Sequence, residues 1–109
     1  MKTAVFHPSL QKVIRGFPKD VRRELGKAIF ELQMGISLTP PLSKPMPSVA
    51  KGAAELRIKE RSRIYRAFYF TKIQDEILIF YAFQKKTQKT PQQEIELGQK
   101  RLKEMLHEK

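Results

Sequence analysis

One long stretch near the N-terminus has apolar residues at spacings of three and four. These positions are Val21, Leu25, Ala28, Ile29, Leu32 and Ile36. The spacing places them on one side of an α-helix, with the charged residues between them facing water. Pro18 and Asp20 suit a helix N-terminus, and Gly35 suits a helix end. The pattern predicts an amphipathic helix over about 18–35, preceded by a strand over 3–6 and a short helix over 9–15.

The second half of the chain has the patterns of β-strands. In 55–61, Leu56 and Ile58 alternate with charged residues, as period-two side chains do. The segment 63–72 is rich in β-branched and aromatic residues, and 76–84 is almost entirely apolar. We therefore predict three strands, of which the last lies at the sheet centre and is covered on both sides. IQDE between the second and third strands predicts a hairpin turn.

A proline-rich segment separates the long helix from these strands. Four prolines lie between Ile36 and Ala54, at Pro40, Pro41, Pro45 and Pro47. Proline is excluded from helix interiors and from interior strands, so the segment is predicted to be a loop. Its length leaves two interpretations open: the segment is a connector stiffened by proline, or it is a long loop with a functional role.

The last segment has the pattern of a third helix. Thr90 is predicted to cap it with Pro91 at its first position, and Ile95, Leu102 and Leu106 form its apolar stripe. The order of elements predicts an α+β fold in a single domain over 1–109. We expect a small twisted antiparallel β-sheet backed by two N-terminal helices, with a C-terminal helix and all helices on one face of the sheet.

Composition narrows the classes of function. The 109 residues contain 22 Lys and Arg against 11 Asp and Glu, a net charge of +11, which favours a polyanionic partner such as nucleic acid. No apolar run could span a membrane, and the first residues lack the pattern of a signal peptide, so we expect a cytoplasmic protein. The absence of Cys and the two separated His residues predict no metal site.

The positive charge is concentrated in the strands. Between Lys51 and Thr90, ten basic residues stand against four acidic ones, a surplus of six. Arg57, Lys59 and Arg61 alternate and are predicted to share one face of the sheet. A phosphate-binding groove would explain them, and so would a solvated face whose cations discourage edge-to-edge aggregation. The interleaved aromatic residues could stack on unpaired bases or form core.

Several short motifs occur together in these strands. ELRIKERSRIYRAFYF, ILIFYAFQKKTQKTPQQEI and the closing amphipathic helix resemble the RelE/ParE superfamily of bacterial toxins, most closely its phage-related, HigB-like branch. The resemblance extends over nearly the whole chain from Val5. It implies the toxin of a type II toxin–antitoxin system, an endoribonuclease that cleaves messenger RNA on the ribosome without a metal ion or other cofactor and so inhibits translation.

The resemblance also implies roles for individual residues. The reaction needs a base, cations that stabilise the transition state, and an acid for the leaving oxygen. The match implies four catalytic residues, namely Arg57, Lys59 for proton transfer, Arg66 at the scissile phosphate and Lys86 at the leaving group. It implies four RNA-binding residues, namely Arg61, Lys85, Lys89 and Tyr69. Many relatives have a Tyr or His near the C-terminus, and the segment after Lys86 has no Tyr and only His107 near its end. His107 is predicted to face solvent, and His7 is predicted to be structural or incidental.

The partner follows from the resemblance alone. It implies a helix-turn-helix, HigA-like antitoxin in a toxin–antitoxin hetero-oligomer, besides the ribosome and its message, and no membrane. Two alternatives remain open at this point. One is a ParE-like DNA gyrase poison, which shares the fold, and the other is a non-catalytic basic module that binds nucleic acid.

Overall fold

The computed structural model describes residues 1–85 and 90–107, which form five strands and three helices. In chain order these are β1 (Thr3–Phe6), α1 (Leu10–Arg15), α2 (Lys19–Gln33), β2 (Ser43–Pro45), β3 (Ala53–Glu60), β4 (Arg63–Ile73), β5 (Glu76–Lys85) and α3 (Gln92–His107). Seven of the eight elements were predicted, and the ends that were predicted differ from the observed ones by no more than three residues. The α+β fold class is confirmed.

The strands form one mixed sheet in the order β1-β5-β4-β3-β2. Neighbours among β2, β3, β4 and β5 are antiparallel, whereas β1 is parallel to β5, with Thr3 opposite Glu76. The prediction of an antiparallel sheet therefore holds for these four strands but is wrong for β1. β4 is therefore the middle strand and β5 lies beside it. The prediction that β5 is covered on both sides is confirmed, since Ile77 and Leu78 are both buried and belong to different apolar clusters.

Helices α1 and α2 cover one face of the sheet. The buried stripe of α2 is the predicted one except for Ile36, which lies beyond the helix and is exposed. Pro18 directly precedes the helix, and its carbonyl accepts the N–H of Arg22 at 3.0 Å. The stripe packs on the side chains that β3, β4 and β5 direct to this face, among them Leu56, Ile58, Tyr65, Ala67, Ile77 and Ile79. Burial of this apolar surface is the main force that holds α2 on the sheet.

Helix α3 lies on the opposite face, so the prediction that all helices share one face is wrong. The strands direct large apolar side chains to both faces, and α3 covers those on the second face. A β-bulge at Phe80 adds to them, because it turns Phe80 and Tyr81 to the same side of β5. The second core contains Met46, Val49, Ala53, Phe68, Leu78, Phe80, Phe83, Ile95, Leu102 and Met105.

The apolar stripe of α3 differs by one position from the predicted one. Met105 is buried, whereas Leu106 is partly exposed, because Ile95, Leu102 and Met105 are the residues that face the sheet. Gly98 allows a close approach in the middle of this stripe, since a Cβ there would lie 2.7 Å from the ring of Phe68. Among the described residues, no helix has both the length and the apolar composition needed to cross a bilayer.

The proline-rich segment contains a short strand that the sequence did not predict. β2 pairs with β3 at the edge of the sheet, with Ser43 opposite Leu56 and Pro45 opposite Ala54. An edge position tolerates Pro45 because one side of the strand makes no ladder hydrogen bonds. The hydroxyls of Ser43 and Tyr69 share a hydrogen bond of 2.5 Å, which anchors β2 to the middle of the sheet.

Candidate functional site

Basic side chains lie together on the face of the sheet that α3 partly covers. Arg57 of β3 is directly opposite Arg66 of β4, and Lys59 is opposite Ile64. Ile64 is in turn opposite Lys85 of β5. Residues that are directly opposite in a sheet direct their side chains to the same face. The predicted sharing of one face by Arg57 and Lys59 is confirmed, and Arg66 and Lys85 join them.

A buried carboxylate links the two arginines. Glu55 and Arg66 are each only 1% exposed. Nη1 of Arg66 lies 3.3 and 3.4 Å from the two carboxylate oxygens of Glu55, and Nε of Arg57 lies 3.4 Å from Oε1. Burial of a charge is tolerated when it is paired and hydrogen-bonded. The two guanidinium groups and the one carboxylate together carry a formal charge of +1.

Thr90 completes this cluster from the segment before α3. Its hydroxyl donates to Oε2 of Glu55 at 2.8 Å and accepts a hydrogen bond from Nη1 of Arg66 at 2.8 Å. The hydroxyl of Thr90, which was predicted to cap α3, is instead hydrogen-bonded to Glu55 and Arg66. At the start of α3 the carbonyl of Pro91 accepts the N–H groups of Glu94 and Ile95.

A cavity of about 280 Å³ borders the cluster, and we call it the site cavity. Its lining comprises Lys44, Pro45, Met46, Pro47, Ser48, Glu55, Arg57, Arg66, Thr90 and Ile95. The side chain of Arg57 is 22% exposed, so it is the member of the arginine pair nearer to solvent. An anion that enters this cavity meets two guanidinium groups whose positions Glu55 and Thr90 already fix.

A second polar cluster joins β5 to the first turn of α3. The carboxylate of Glu94 accepts a hydrogen bond of 2.5 Å from the hydroxyl of Tyr81, and Nζ of Lys85 lies 3.7 Å from it. The guanidinium of Arg101 lies 4.6 Å from the centre of the Tyr81 ring. Burial raises the pKa of Tyr81, and the hydrogen bond and charge of Glu94 raise it further against the opposing effect of Arg101. Tyr81 therefore remains a hydrogen-bond donor at neutral pH.

The structure does not bring every predicted residue to this site. Arg61 lies in the turn between β3 and β4 with φ 58°, beyond the strand that was predicted to contain it. Tyr69 is 5% exposed and belongs to the core under α1 and α2, on the other face of the sheet. Its ring is therefore not available for stacking on a base. Lys86 and Lys89 lie outside the described residues.

Two members of the cluster were missed by the sequence analysis. Glu55 had a signal, because it alternates with Arg57 and Lys59 and must share their face. A carboxylate on the same strand face as several cations indicates a buried counter-charge for the arginines. Thr90 had no such signal, since a threonine before a proline and a helical pattern fits a helix cap equally well.

The two histidines lie outside the cluster. The ring of His7 lies 2.7 Å from the hydroxyl of Ser9 and 3.0 Å from a carboxylate oxygen of Glu104, so it joins the end of β1 to α3. This position agrees with its predicted structural role. His107 is exposed in the last turn of α3, as predicted.

The chain matches the sequence model of a known protein family. The sequence model of the family described as "Phage derived protein Gp49-like (DUF891)" matches residues 12–103. The matched region includes most of α1, the whole of α2, the three long strands and most of α3. No curated protein is similar enough to count as a match.

Proposed function

Because the chain belongs to the phage-derived Gp49-like family, whose members are toxin-like proteins of the RelE/HigB type, we propose that it is the toxin of a type II toxin–antitoxin system. The proposed activity is metal-independent cleavage of messenger RNA on the ribosome. The observation that carries the proposal is the arginine pair Arg57 and Arg66, which Glu55 holds at the border of the site cavity.

The proposed reaction is an attack within the RNA strand. The 2′-hydroxyl of one nucleotide attacks its own 3′-phosphate, the bond from phosphorus to the next 5′-oxygen breaks, and the products are a 2′,3′-cyclic phosphate and a 5′-hydroxyl. One proton leaves the attacking oxygen and one reaches the leaving oxygen. Negative charge grows on the phosphorus oxygens in the transition state, so fixed cationic donors accelerate the reaction.

The arginine pair is suited to stabilise that charge. A guanidinium group is protonated at any physiological pH and presents several N–H donors in one plane. Here Glu55 and Thr90 orient the groups before substrate arrives, so little reorganisation accompanies the reaction. In the proposal Arg57, nearer to solvent, contacts the scissile phosphate first, and Arg66 adds charge from behind it.

Proton transfer is assigned to lysines in the proposal. Lys59 is exposed, on the face of Arg57 and two residues further along β3, about 7 Å away at the rise of a strand. At that separation it can reach the 2′-hydroxyl directly or through one water while Arg57 holds the phosphate. Lys86 is proposed to assist the leaving oxygen, and Arg61, Lys85 and Lys89 to bind the RNA backbone.

The proposed partner is an antitoxin with a helix-turn-helix domain. Toxin-like proteins of this kind pair with an antitoxin, and the net charge of +11 favours an acidic segment in that partner. A segment that covers the site cavity would compete with RNA for Arg57. Release of the antitoxin would then restore access to the site.

Induction in growing cells tests the activity. The wild type, Arg57→Ala/Lys59→Ala and Arg63→Ala are induced with and without a translation inhibitor, followed by growth measurement and primer extension on one abundant message. Arg63 is the matched control because it is exposed on the same strand as Arg66 but faces the other side of the sheet. We expect growth arrest and translation-dependent cuts from the wild type and Arg63→Ala only.

Two other results would reject the ribonuclease proposal. DNA damage signalling without cleavage of messages would favour a gyrase poison. Equal arrest by the wild type and the double variant, without cuts in either culture, would mean that the arrest needs neither RNA cleavage nor these two cations, which would then serve binding or solubility.

A further inference from the structure

The proline-rich segment borders a second groove beside the basic face. This groove has a volume of about 370 Å³ and is lined by Pro41, Leu42, Arg57, Lys59 and Ile64, and we call it the edge groove. Three of its lining residues are apolar and two are cationic. The function proposed above uses the cations but gives no role to the apolar walls.

The edge groove exists because β2 ends early. The last paired residue of β3 along this edge is Leu56, opposite Ser43, and the N–H of Arg57 then donates to the carbonyl of Leu42 at 2.8 Å. Alternate residues of a strand direct their main-chain groups to the same edge. The N–H and carbonyl of Lys59 therefore also point to this edge. They lie two residues beyond Arg57, where no residue of β2 pairs with β3.

We propose that the edge groove binds one nucleobase of the RNA strand whose phosphate lies on Arg57 and Lys59. The inference rests on the proposed function in taking RNA as the ligand, and it adds a subsite for a base. The apolar surfaces of Pro41, Leu42 and Ile64 remove the faces of a base from water, and the flanking cations contact the phosphate that follows it. The outward amide and carbonyl of Lys59 offer a donor and an acceptor to the polar edge of the base.

Arg57 connects this subsite with the site cavity. It lines both cavities, and it is the more exposed member of the arginine pair. A base in the edge groove therefore belongs to a nucleotide directly next to the scissile phosphate. The groove then contributes to sequence preference at that one position.

Other occupants fit the groove less well. An inorganic anion would use Arg57 and Lys59 but not the apolar walls. A second copy of the chain would bring a net charge of +11 against these cations, which opposes association. An acidic peptide is the remaining competitor, and the experiment below distinguishes it from RNA.

The test measures binding separately from cleavage. Short single-stranded RNAs with 2′-O-methyl groups cannot undergo the proposed attack, and their binding is followed by fluorescence anisotropy at fixed salt. One RNA is intact, and each of the others lacks the base at one position. They are titrated with the wild type, with Ile64→Ser and with Val13→Ser, a control that makes a similar apolar-to-serine change on an exposed position of α1. Circular dichroism checks the fold of each variant.

We expect removal of the base at one position to weaken binding of the wild type about tenfold, because the burial of that base against the apolar walls of the groove is lost. Ile64→Ser should weaken binding of the intact RNA by a similar factor and should not weaken binding of that abasic RNA further. Val13→Ser should behave as the wild type does. Losses that add in full would overturn the inference, since the base and Ile64 would then act independently.

Further outcomes separate the two proposals. If every abasic RNA binds the wild type as well as the intact RNA does, the edge groove holds no base, whether or not messages are cleaved in cells. If the base-dependent binding is found but no message is cleaved, the ribonuclease proposal fails and the subsite stands. If an acidic peptide binds at the groove and no RNA binds, the base subsite is rejected, while the ribonuclease proposal is decided by the cleavage experiment in cells. Since the abasic series uses the wild type, a fold defect in Ile64→Ser leaves the inference testable.

Discussion

Arg57 and Arg66 lie directly opposite each other on neighbouring strands, and both contact the single buried carboxylate of Glu55. Like charges at opposed positions destabilise a sheet unless a counter-charge lies between them. Glu55 supplies that counter-charge, and Thr90 adds hydrogen bonds to both Glu55 and Arg66. The same contacts therefore support the fold and hold two cations in place for an anionic ligand.

Arg66→Ala should lower the free energy of unfolding by about 3–5 kcal/mol, because it removes one partner of a buried ion pair and leaves Glu55 less compensated. Urea denaturation followed by circular dichroism measures the change. Arg63→Ala, an exposed arginine on the same strand, should change stability by about 0.5 kcal/mol or less. Equal stability of Arg66→Ala and the wild type would contradict the structural role of the pair.

Arg57→Ala should slow RNA cleavage by about 10²–10³-fold, the usual loss when one fixed donor to a transition-state oxygen is removed. The rate is measured in single turnover on ribosomes programmed with one message. The partial exposure of Arg57 means that its loss should disturb the fold less than loss of Arg66. A rate close to that of the wild type in a correctly folded Arg57→Ala would remove Arg57 from the reaction.

Gly98→Ala should destabilise the protein by about 1–3 kcal/mol, because the added Cβ would lie 2.7 Å from a ring atom of Phe68 in the packed core under α3. Gly26→Ala is the matched control in α2, where a Cβ meets no atom within 4 Å. There the better helix propensity of alanine should increase stability by up to about 1 kcal/mol. The opposite order of the two melting temperatures would show that α3 does not pack as described.

The free energy of unfolding should fall above about pH 10, where tyrosine ionises in the unfolded chain. Burial raises the pKa of Tyr81 and of Tyr69 above the ordinary value of 10.0, so the folded state holds these protons more tightly. The two protonated tyrosines therefore contribute fully to the free energy of unfolding below about pH 10. This contribution is lost as the pH rises from about 10 toward the raised pKa values of the folded state. Urea denaturation at neutral pH and at about pH 11 should show a smaller decline for Tyr81→Phe/Tyr69→Phe, whereas equal declines would contradict the prediction.

The sequence predicted the features that depend on local spacing. The period of three and four in α2 and the alternation around Arg57 are properties of neighbouring residues, so they survive in the folded chain. The alternation correctly indicated that Arg57 and Lys59 share a face. The same alternation places Glu55 on that face, although in the sequence analysis Glu55 was used only in the count of charges.

The features that were missed depend on contacts between distant segments. Thr90 has the sequence context of a helix cap, and only the approach of Glu55 and Arg66 gives its hydroxyl another use. The β2 strand has little strand propensity and forms because the edge of β3 is available to it. The face chosen by α3 follows from the large apolar residues that the strands direct to that face, to which the bulge at Phe80 adds.

The parallel pairing of β1 with β5 has a consequence for folding during synthesis. Among the five described strands, β1 leaves the ribosome before the others and its partner β5 is made after them, since Thr3 pairs with Glu76 and Phe6 with Ile79. Contacts this distant in sequence form late, because a long loop must close before they are gained. The sheet is therefore completed only after β5 has emerged, and a chain that stops before β5 leaves β1 without the strand it pairs with.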